Sequence, residues 1–103
     1  MNVPVKDSRT ALLLGEDGVN ALKQATVAVF GIGGVGGYTV EALARSGVGH
    51  LELIDHDTIS ITNINRQILA THSTVGMSKV SAAAARIRDI DPTIKITEME
   101  TFY

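Results

Sequence analysis

The sequence predicts an α/β fold in which parallel strands alternate with helices. An apolar run at residues 26–30 leads into a turn that has five glycines between residues 31 and 37. Apolar residues at helical spacing follow the turn, and a second helical segment separates two further runs with strand character. From residue 25 onwards the predicted order is therefore strand, helix, strand, helix, strand, as in parallel sheets whose strands are joined by helices.

The first strand is predicted from Thr26 to Phe30. It is apolar at almost every position, which is typical of a strand that is covered on both faces at the centre of a sheet. Gly47 is expected to end the helix that follows, because glycine readily adopts the left-handed conformation past a helix C-terminus. That helix carries small and apolar residues at helical spacing, namely Gly36, Val40, Leu43 and Ala44.

A second strand is predicted from Leu51 to Ile54, and Asp55 stands at its end. The polar stretch over about residues 57–74 predicts a loop with one helical turn near residues 67–70. A helix over about residues 77–89 follows, because its apolar residues recur at helical spacing and Asp-Pro breaks the pattern after it.

A third strand over about residues 93–100 completes the series. Ile94 and Ile96 alternate with polar residues, which indicates an outer strand with one face towards water. The strand order 3-2-1 follows, and it leaves one edge of the first strand unpaired. We therefore expect the chain to be the front half of a larger Rossmann-type domain.

Residues 1–24 predict a short helical arm before the first strand. Gly15 is expected to end its first helical segment, and a second segment follows around residues 19–23. The predicted domain division is therefore an arm over residues 1–24 and an N-terminal half-domain over residues 25–103.

Composition limits the classes of function. The 103 residues are 45% apolar and include no cysteine, which excludes disulfides, thiolate metal sites and cysteine nucleophiles in this segment. The net charge of −2 argues against a dominant nucleic-acid surface. No apolar run approaches the roughly 20 residues of a membrane span, and no basic-then-apolar leader begins the chain. We expect a cytoplasmic protein with no membrane partner.

The glycine turn fits the pattern Gly31-x-Gly33-x-x-Gly36. The first glycine permits a sharp turn, the second lets a phosphate approach the backbone, and the third lets the helix pack on the strand. The helix N-terminus offers its N–H groups to the anion. Asp55 stands 19 residues after Gly36, where an acid that accepts a ribose hydroxyl is expected. A glycine-rich turn without a ligand is the alternative, and the strand–turn–helix context favours a nucleotide site over it.

Amides and cations follow the second strand. Asn63 and Arg66 lie in the segment NINRQ, and Lys79 begins the next helix. Arginine can grip a phosphate through two parallel hydrogen bonds, whereas lysine supplies a point charge. In isolation these residues favour a solvated polar loop in which Arg66 and Lys79 are ordinary surface charges. Beside the glycine turn and Asp55 they favour a site for a triphosphate.

Four motifs in this order, GIGGVGG, LIDHDTIS, TNINRQ and VGMSK, give the chain a specific resemblance. From about residue 9 to residue 100 it resembles the ATP-dependent adenylating proteins of the ThiF/MoeB/HesA family, which are relatives of ubiquitin-activating enzymes. The segments ALARSGVG, NINRQ and RTALLLGEDGVNAL are most similar to the tRNA threonylcarbamoyladenosine dehydratases. The resemblance implies an enzyme that uses ATP and Mg²⁺ to activate a carboxylate as an acyl-adenylate, here for cyclisation of the threonylcarbamoyl group on a tRNA adenosine.

The resemblance also implies roles for individual residues. Arg9 would be an arginine finger that reaches the triphosphate of the partner subunit in a homodimer. Asp57 is suited to contact with magnesium or ribose, and equally to the role of a turn residue that starts the loop. The implied cofactor-binding residues are Gly31, Gly33, Gly36, Asp55, Asp57, Asn63, Arg66 and Lys79. The implied catalytic residues are Arg9, Arg66 and Lys79. No metal ligand is assigned in this chain, because the family's magnesium-binding Asp ends a fourth strand beyond residue 103, and we expect these residues alone to be inactive.

Three alternatives stay open. A sulfur-carrier-protein adenylyltransferase of the ThiF/MoeB type would share every motif and act on a small ubiquitin-like protein. An NAD-binding module of a dehydrogenase would share the glycines and Asp55, but it has no use for Arg66 and Lys79. A non-catalytic assembly fragment would bind neither nucleotide tightly.

Overall fold

The predicted succession of elements is present. The structure, a computed structural model, describes residues 5–102, and for residues 5, 8–11 and 35 it describes the backbone alone. The helices and strands are α1 (Ser8–Gln24), β1 (Thr26–Phe30), α2 (Val35–Ser46), β2 (His50–Asp55), α3 (Lys79–Ile90) and β3 (Lys95–Glu100). Short 3₁₀ turns occupy Val5–Asp7 and Ile61–Asn63.

The three strands form one parallel sheet in the order β1-β2-β3, which is the predicted order named from the opposite edge. In the register of the sheet, Val27 lies opposite Leu51, and Leu51 lies opposite Ile96. Each crossover runs through a helix, as parallel pairing requires. The carboxyl ends of all three strands therefore meet at one edge of the sheet, and the glycine turn after β1 lies beside Asp55 at the end of β2.

The core lies between the sheet and the helices α2 and α3. Leu51 and Leu53 of β2 are fully buried there, together with Val40 of α2 and Ile87 of α3. The alanine run at residues 82–84 is also buried, and its small side chains allow α3 to lie close to its neighbours. Burial of apolar surface of this kind is the main favourable term in folding.

β1 is less covered than its apolar sequence predicts. Val29 is buried, but Thr26, Ala28 and Phe30 are exposed, and Phe30 keeps 60% of its accessible surface. No other strand of the described residues pairs with the second edge of β1. The prediction that β1 is covered on both faces is therefore wrong for this part of the chain, because an apolar run carries no information about which layer covers it.

α1 divides at Gly15, as predicted. Gly15 has φ 76° and ψ 171°, which interrupts the helix between two helical segments. In the first segment Leu12 and Leu13 are 82% and 88% exposed. In the second, Val19 is buried and Leu22 packs against the core.

The ends of the later elements follow local side-chain chemistry. Gly47 ends α2 in the left-handed conformation, with φ 97°, as predicted. α3 begins at residue 79, two residues later than predicted, because the Ser78 hydroxyl accepts the N–H of Ser81 and caps the helix. β3 begins at residue 95, because Asp91 accepts the N–H of Thr93 at 2.9 Å and folds the preceding residues into a turn.

The loop between β2 and α3 contains one turn that was predicted and one that was not. The N–H of Ala70 donates to the carbonyl of Gln67 at 3.0 Å, which is the predicted helical turn. The 3₁₀ turn Ile61–Asn63 is not apparent from sequence periodicity, because three residues are too few to show a period. Among the described residues no helix is long and apolar enough to span a membrane.

A charged pair joins α2 to α3. Arg86 donates through Nε to Oε2 of Glu41, and through Nη2 to Oε1 at 2.9 Å. These hydrogen bonds from Arg86 hold the pKa of Glu41 below its ordinary value of 4.5; burial opposes the shift, and Arg45 adds to it. A carboxylate whose pKa is lowered by folding stabilises the protein above its unfolded pKa, and the stabilisation is lost as pH falls through the folded pKa.

We predict that Glu41→Gln lowers the free energy of unfolding at pH 7 by about 1 kcal/mol, since partly exposed pairs contribute roughly this much. The difference between wild type and variant should shrink below about pH 4.5 and vanish once the wild-type carboxyl is protonated. Urea unfolding across pH 3–7 measures it, with Glu100→Gln at the exposed end of β3 as the matched control. A difference that stays constant over this range would contradict the account.

Candidate functional site

An open cleft of about 900 Å³ lies where the chain leaves β1 and β2. In open α/β sheets, ligands bind outside the carboxyl ends of the strands, and this cleft occupies that position. Its wall is formed by the glycine turn after β1, by Asp55, His56 and Asp57 after β2, and by Gln67 and Lys79. The sequence motifs that were separated along the chain are brought together here.

The glycine turn requires glycine for two separate reasons. Gly31 and Gly34 have φ values of 83° and 56°, a region that residues with a side chain rarely adopt. At Gly36 an added Cβ would lie 1.8 Å from the carbonyl oxygen of Gly31, so α2 packs directly on the turn. The first N–H groups of a helix have no acceptor within the helix. That of Gly36 donates to the carbonyl of Gly33 at 3.1 Å, and the others at the start of α2 are suited to an anion.

Two polar side chains lie directly over the backbone of Gly33. An added Cβ there would be 2.8 Å from Nζ of Lys79 and 3.1 Å from both polar atoms of the Gln67 amide. A side chain at position 33 would therefore displace the ammonium and the amide. Their position beside the start of α2 places positive charge and hydrogen-bond donors where an anion would bind.

Asp55 connects the glycine turn to the loop that follows β2. The residue is 5% exposed, its Oδ2 accepts the N–H of Ile32 at 2.7 Å, and its Oδ1 accepts the N–H of Asp57 at 3.0 Å. Burial raises the pKa of Asp55, but these hydrogen bonds, a third from the His56 backbone and the charge of Lys79 together lower it below its ordinary value. The carboxyl group is therefore ionised at neutral pH, and after these three backbone hydrogen bonds one lone pair of its oxygens is left to accept a hydroxyl.

Lys79 is positioned by the first turn of α3. Its backbone N–H donates to the carbonyl of Asp57 at 3.0 Å, which fixes the start of the helix beside the cleft. The side chain is nearly buried, and its Nζ lies 3.8 Å from Oδ2 of Asp57, beyond hydrogen-bond distance. A nearly buried ammonium whose carboxylate contact is this long would gain from a second anion in the cleft.

Asn63 and Arg66 are not among the described residues that line the cleft. Oδ1 of Asn63 accepts the N–H of Ser60 at 2.9 Å and closes a capping box. Arg66 is exposed, and its Nη1 donates to the carbonyl of Thr62 at 2.9 Å. It borders a separate groove of about 200 Å³ beside Tyr38. Contact of Asn63 and Arg66 with phosphate stays a prediction.

Three further residues complete the comparison with the sequence-based predictions. Arg9 belongs to α1, but its side chain is outside the described part of the chain, so its role stays a prediction. Gln67 was not assigned, although it ends the segment NINRQ that pointed to the site. The structure also places His56, which follows Asp55 in the chain, in the cleft wall.

The residues after β2 fit a magnesium ion only in part. Ligand atoms of Asp55, His56 and Asp57 lie within 4.8 Å of one another. Mg²⁺ prefers oxygen ligands and is usually held by one or two carboxylates together with substrate phosphates and water. Both oxygens of Asp55 already accept backbone N–H groups, so Asp57, whose side chain is 54% exposed, is the carboxylate suited to this use.

The chain is similar to known proteins over most of its length. The model of the ThiF family matches residues 7–103. The chain belongs to the ThiF family. It is 51% identical over 96 residues to the tRNA threonylcarbamoyladenosine dehydratase of Bacillus subtilis, covering 93% of this chain and 38% of that protein. It is 45% identical over 92 residues to a molybdopterin-synthase adenylyltransferase of Salmonella typhimurium, covering 87% of this chain and 37% of that protein.

A solved structure of a relative has the same fold as this chain. The tRNA N6-threonylcarbamoyladenosine dehydratase of E. coli, in complex with ATP, superposes with a TM-score of 0.91 at 43% identity. The match covers 94% of this chain and 40% of that chain. The chain thus spans less than half of the length of these ThiF-family relatives, and it contains the part that carries the glycine turn.

We predict that Gly36→Ala lowers the free energy of unfolding by about 3 kcal/mol, because the new methyl group would overlap the carbonyl oxygen of Gly31. At an unconstrained helix position the same change stabilises by about 1 kcal/mol. Gly76→Ala is the control, because Gly76 has φ 91° and open space around it. In this variant only the left-handed backbone conformation is unfavourable, and we expect the free energy of unfolding to fall by roughly 1 kcal/mol. Denaturant unfolding measures both variants, and a Gly36→Ala variant as stable as wild type would refute the close packing.

Proposed function

We propose that residues 25–103 form the ATP-binding N-terminal half of an adenylating enzyme that activates a carboxylate as an acyl-adenylate, and that residues 1–24 are its arm. The observation that carries this proposal is the position of the Lys79 ammonium and the Gln67 amide over Gly33, at the N-terminus of α2. A turn that bound only the uncharged parts of a ligand would have no need of a nearly buried cation. Membership of the ThiF family supports the same function.

The proposed chemistry is attack by a substrate carboxylate oxygen on the α-phosphorus of ATP. The new acyl–O–P bond forms as the bond to the β-phosphate breaks, and pyrophosphate leaves with that electron pair. Lys79 and the N–H groups at the start of α2 stabilise the charge that develops on the phosphate oxygens. Asp55 holds the ribose through a hydroxyl group. Mg²⁺ on the phosphates would add further neutralisation, with Asp57 as its ligand from this chain.

The substrate that we propose is the threonylcarbamoyl group of a tRNA adenosine. Its carboxylate would be adenylated, and the carbamoyl nitrogen attached to the adenine would then attack the activated carbonyl. A C–N bond forms as the C–O bond to AMP breaks, a five-membered ring closes, AMP leaves with the electron pair, and the nitrogen loses its proton to water. The 51% identity to the dehydratase of Bacillus subtilis supports this choice. The dehydration is then complete, because the carboxylate oxygen leaves with AMP.

A sulfur-carrier-protein adenylyltransferase is the second candidate. It uses the same first step on a small ubiquitin-like protein, and the 45% identity to the adenylyltransferase of Salmonella typhimurium supports it. The two candidates differ in the molecule that supplies the carboxylate, and the described cleft is common to both.

We also propose that the protein is a cytoplasmic homodimer. Leu12 and Leu13 on α1 are almost fully exposed, and the open edge of β1 adds a further uncovered surface. In such a dimer Arg9 would act on the nucleotide of the partner subunit, and Arg66 would leave its contact with Thr62 to reach the phosphates. Sedimentation of the intact protein at twice the mass of its chain is the expected result.

We predict that ATP binds the intact protein more tightly than NAD and displaces it, and that Lys79→Ala weakens ATP binding by about tenfold to a hundredfold. This range corresponds to the loss of a hydrogen bond to a charged group. Lys95→Ala is the control, because Lys95 is exposed at the amino end of β3, whereas the cleft lies at the carboxyl ends of the strands. Isothermal titration calorimetry gives both affinities. Tighter binding of NAD, or equal affinity of Lys79→Ala and wild type for ATP, would exclude the proposed site.

A further inference from the structure

A second cleft, of about 590 Å³, lies at the amino ends of the strands, at the other end of the sheet from the candidate nucleotide site. Its wall includes residues that come a few positions before each strand, namely Lys23 before β1, Gly47 before β2 and Asp91 before β3. Lys6 and Asp7, which precede α1, belong to the same wall. The start of the arm is therefore held at the amino ends of the strands, whereas the proposed chemistry takes place at their carboxyl ends.

Asp7 is a buried carboxylate in the wall of this second cleft. It is 2% exposed, and a Cβ added at Gly47 would lie 3.3 Å from its Oδ1, so the carboxyl group packs on the turn between α2 and β2. Oδ1 of Asp7 has no hydrogen-bond partner among the described residues, and Nζ of Lys6 lies 3.0 Å from it as an ion pair. The buried charge of Asp7 therefore depends on Lys6 for its compensation.

Lys6 also connects the arm to the turn before β3. Its Nζ lies 3.4 Å from Oδ2 of Asp91, and Oδ1 of Asp91 accepts the N–H of Thr93 at 2.9 Å, which folds that turn. The start of the arm is thus attached at two points at the base of the sheet. Asp7 attaches it to the turn before β2, and Lys6 attaches it to the turn before β3.

The charged pair is better suited to fixing a position than to adding stability. Taking two charges out of water costs about as much free energy as their attraction returns, so a buried pair adds little net stability. Removal of one partner is nonetheless unfavourable, because the other charge stays buried alone. A shift of the arm by one residue would place another side chain against Gly47 and separate Asp7 from its present site, so the pair fixes the register of the arm.

The position of this pair determines where α1 begins. β2 has six residues, and at about 3.3 Å per residue its two ends are roughly 17 Å apart. α1 begins at Ser8, and a helix rises by about 1.5 Å per residue, so the backbone of Arg9 stays within one turn of Asp7. The backbone of Arg9 therefore lies near the end of the sheet that is opposite to the cleft of its own chain.

We propose that Lys6 and Asp7 are positioning residues, which fix the start of α1 so that Arg9 is presented to the nucleotide of the partner subunit and not to that of its own chain. This inference rests on the proposed function, in particular on a homodimer in which Arg9 acts on the partner. Lys6 and Asp7 touch the nucleotide of neither subunit. Loss of the pair should therefore lower the rate in the partner's cleft and leave ATP binding in the cleft of its own chain unchanged.

Mixed dimers of the intact protein test the proposal, because they contain a single complete site. A subunit with Arg9→Ala keeps its cleft, and a subunit with Lys79→Ala keeps its arginine, so the mixed dimer has one cleft that is served by one arginine. Two different affinity tags isolate this dimer. The release of AMP from ATP, in the presence of tRNA that carries threonylcarbamoyladenosine, measures its rate.

Lys6→Met is then added to one subunit at a time. In the Lys79→Ala subunit, which supplies the arginine, it should lower kcat by about tenfold to a hundredfold, as expected when a group is displaced from its productive position. In the Arg9→Ala subunit, which supplies the cleft, it should leave kcat and the KM for ATP unchanged. Asp7→Asn, which removes the charge and keeps the shape, should give the same pattern. Lys23→Met is the matched control, because Lys23 lines the same second cleft but forms no ion pair with the described residues.

The outcomes separate this inference from the proposed function. An equal loss of rate with Lys6→Met in either subunit would show that the pair only supports the fold, and no loss in the subunit that supplies the arginine would show that it positions nothing. If wild type releases AMP but the mixed dimer without Lys6→Met does not, Arg9 does not act across the dimer, and this inference fails while adenylation stands. If wild type releases no AMP, the proposed function fails and this inference fails with it.

Discussion

A buried carboxylate joins the segments that form the cleft. Asp55 accepts the N–H of Ile32 in the glycine turn and the N–H of Asp57 in the loop after β2, and its backbone carbonyl accepts the N–H of Thr101 after β3. An ionised group of this kind is costly to bury without such donors. Its hydrogen bonds therefore stabilise the structure and also hold the glycine turn and the loop after β2 together at the cleft.

The backbone framework was predictable because it depends on local chemistry. Gly15 and Gly47 end helical segments at the predicted places, since each adopts a positive φ that other residues avoid. The strand order followed from the alternation around Ile94 and Ile96, which indicated an outer strand. The cover over β1 was not predictable, because residues such as Ala28 and Phe30 suit a buried face equally well whether or not the described chain supplies the layer above it.

Side chains that meet only in three dimensions were the least predictable part of the site. Gln67 and Lys79 are twelve residues apart, and only the packing of the loop against Gly33 brings them together. The stacking of His56 on Phe102 depends on the pairing of β2 with β3, which no local motif encodes. A sequence motif also does not determine the direction of a side chain. Arg66 lies in the segment NINRQ, as predicted, but its guanidinium donates to the carbonyl of Thr62 in the same loop.

The central claim, that a carboxylate attacks the α-phosphate of ATP in this cleft, is tested most directly by the products of ATP turnover. The intact protein should be given ATP and tRNA that carries threonylcarbamoyladenosine, and the nucleotide products should be separated. The account predicts AMP and pyrophosphate in equal amounts, formed only when the modified tRNA is present and lost in Lys79→Ala. Formation of ADP and phosphate would contradict it, because that outcome places the attack at the γ-phosphate.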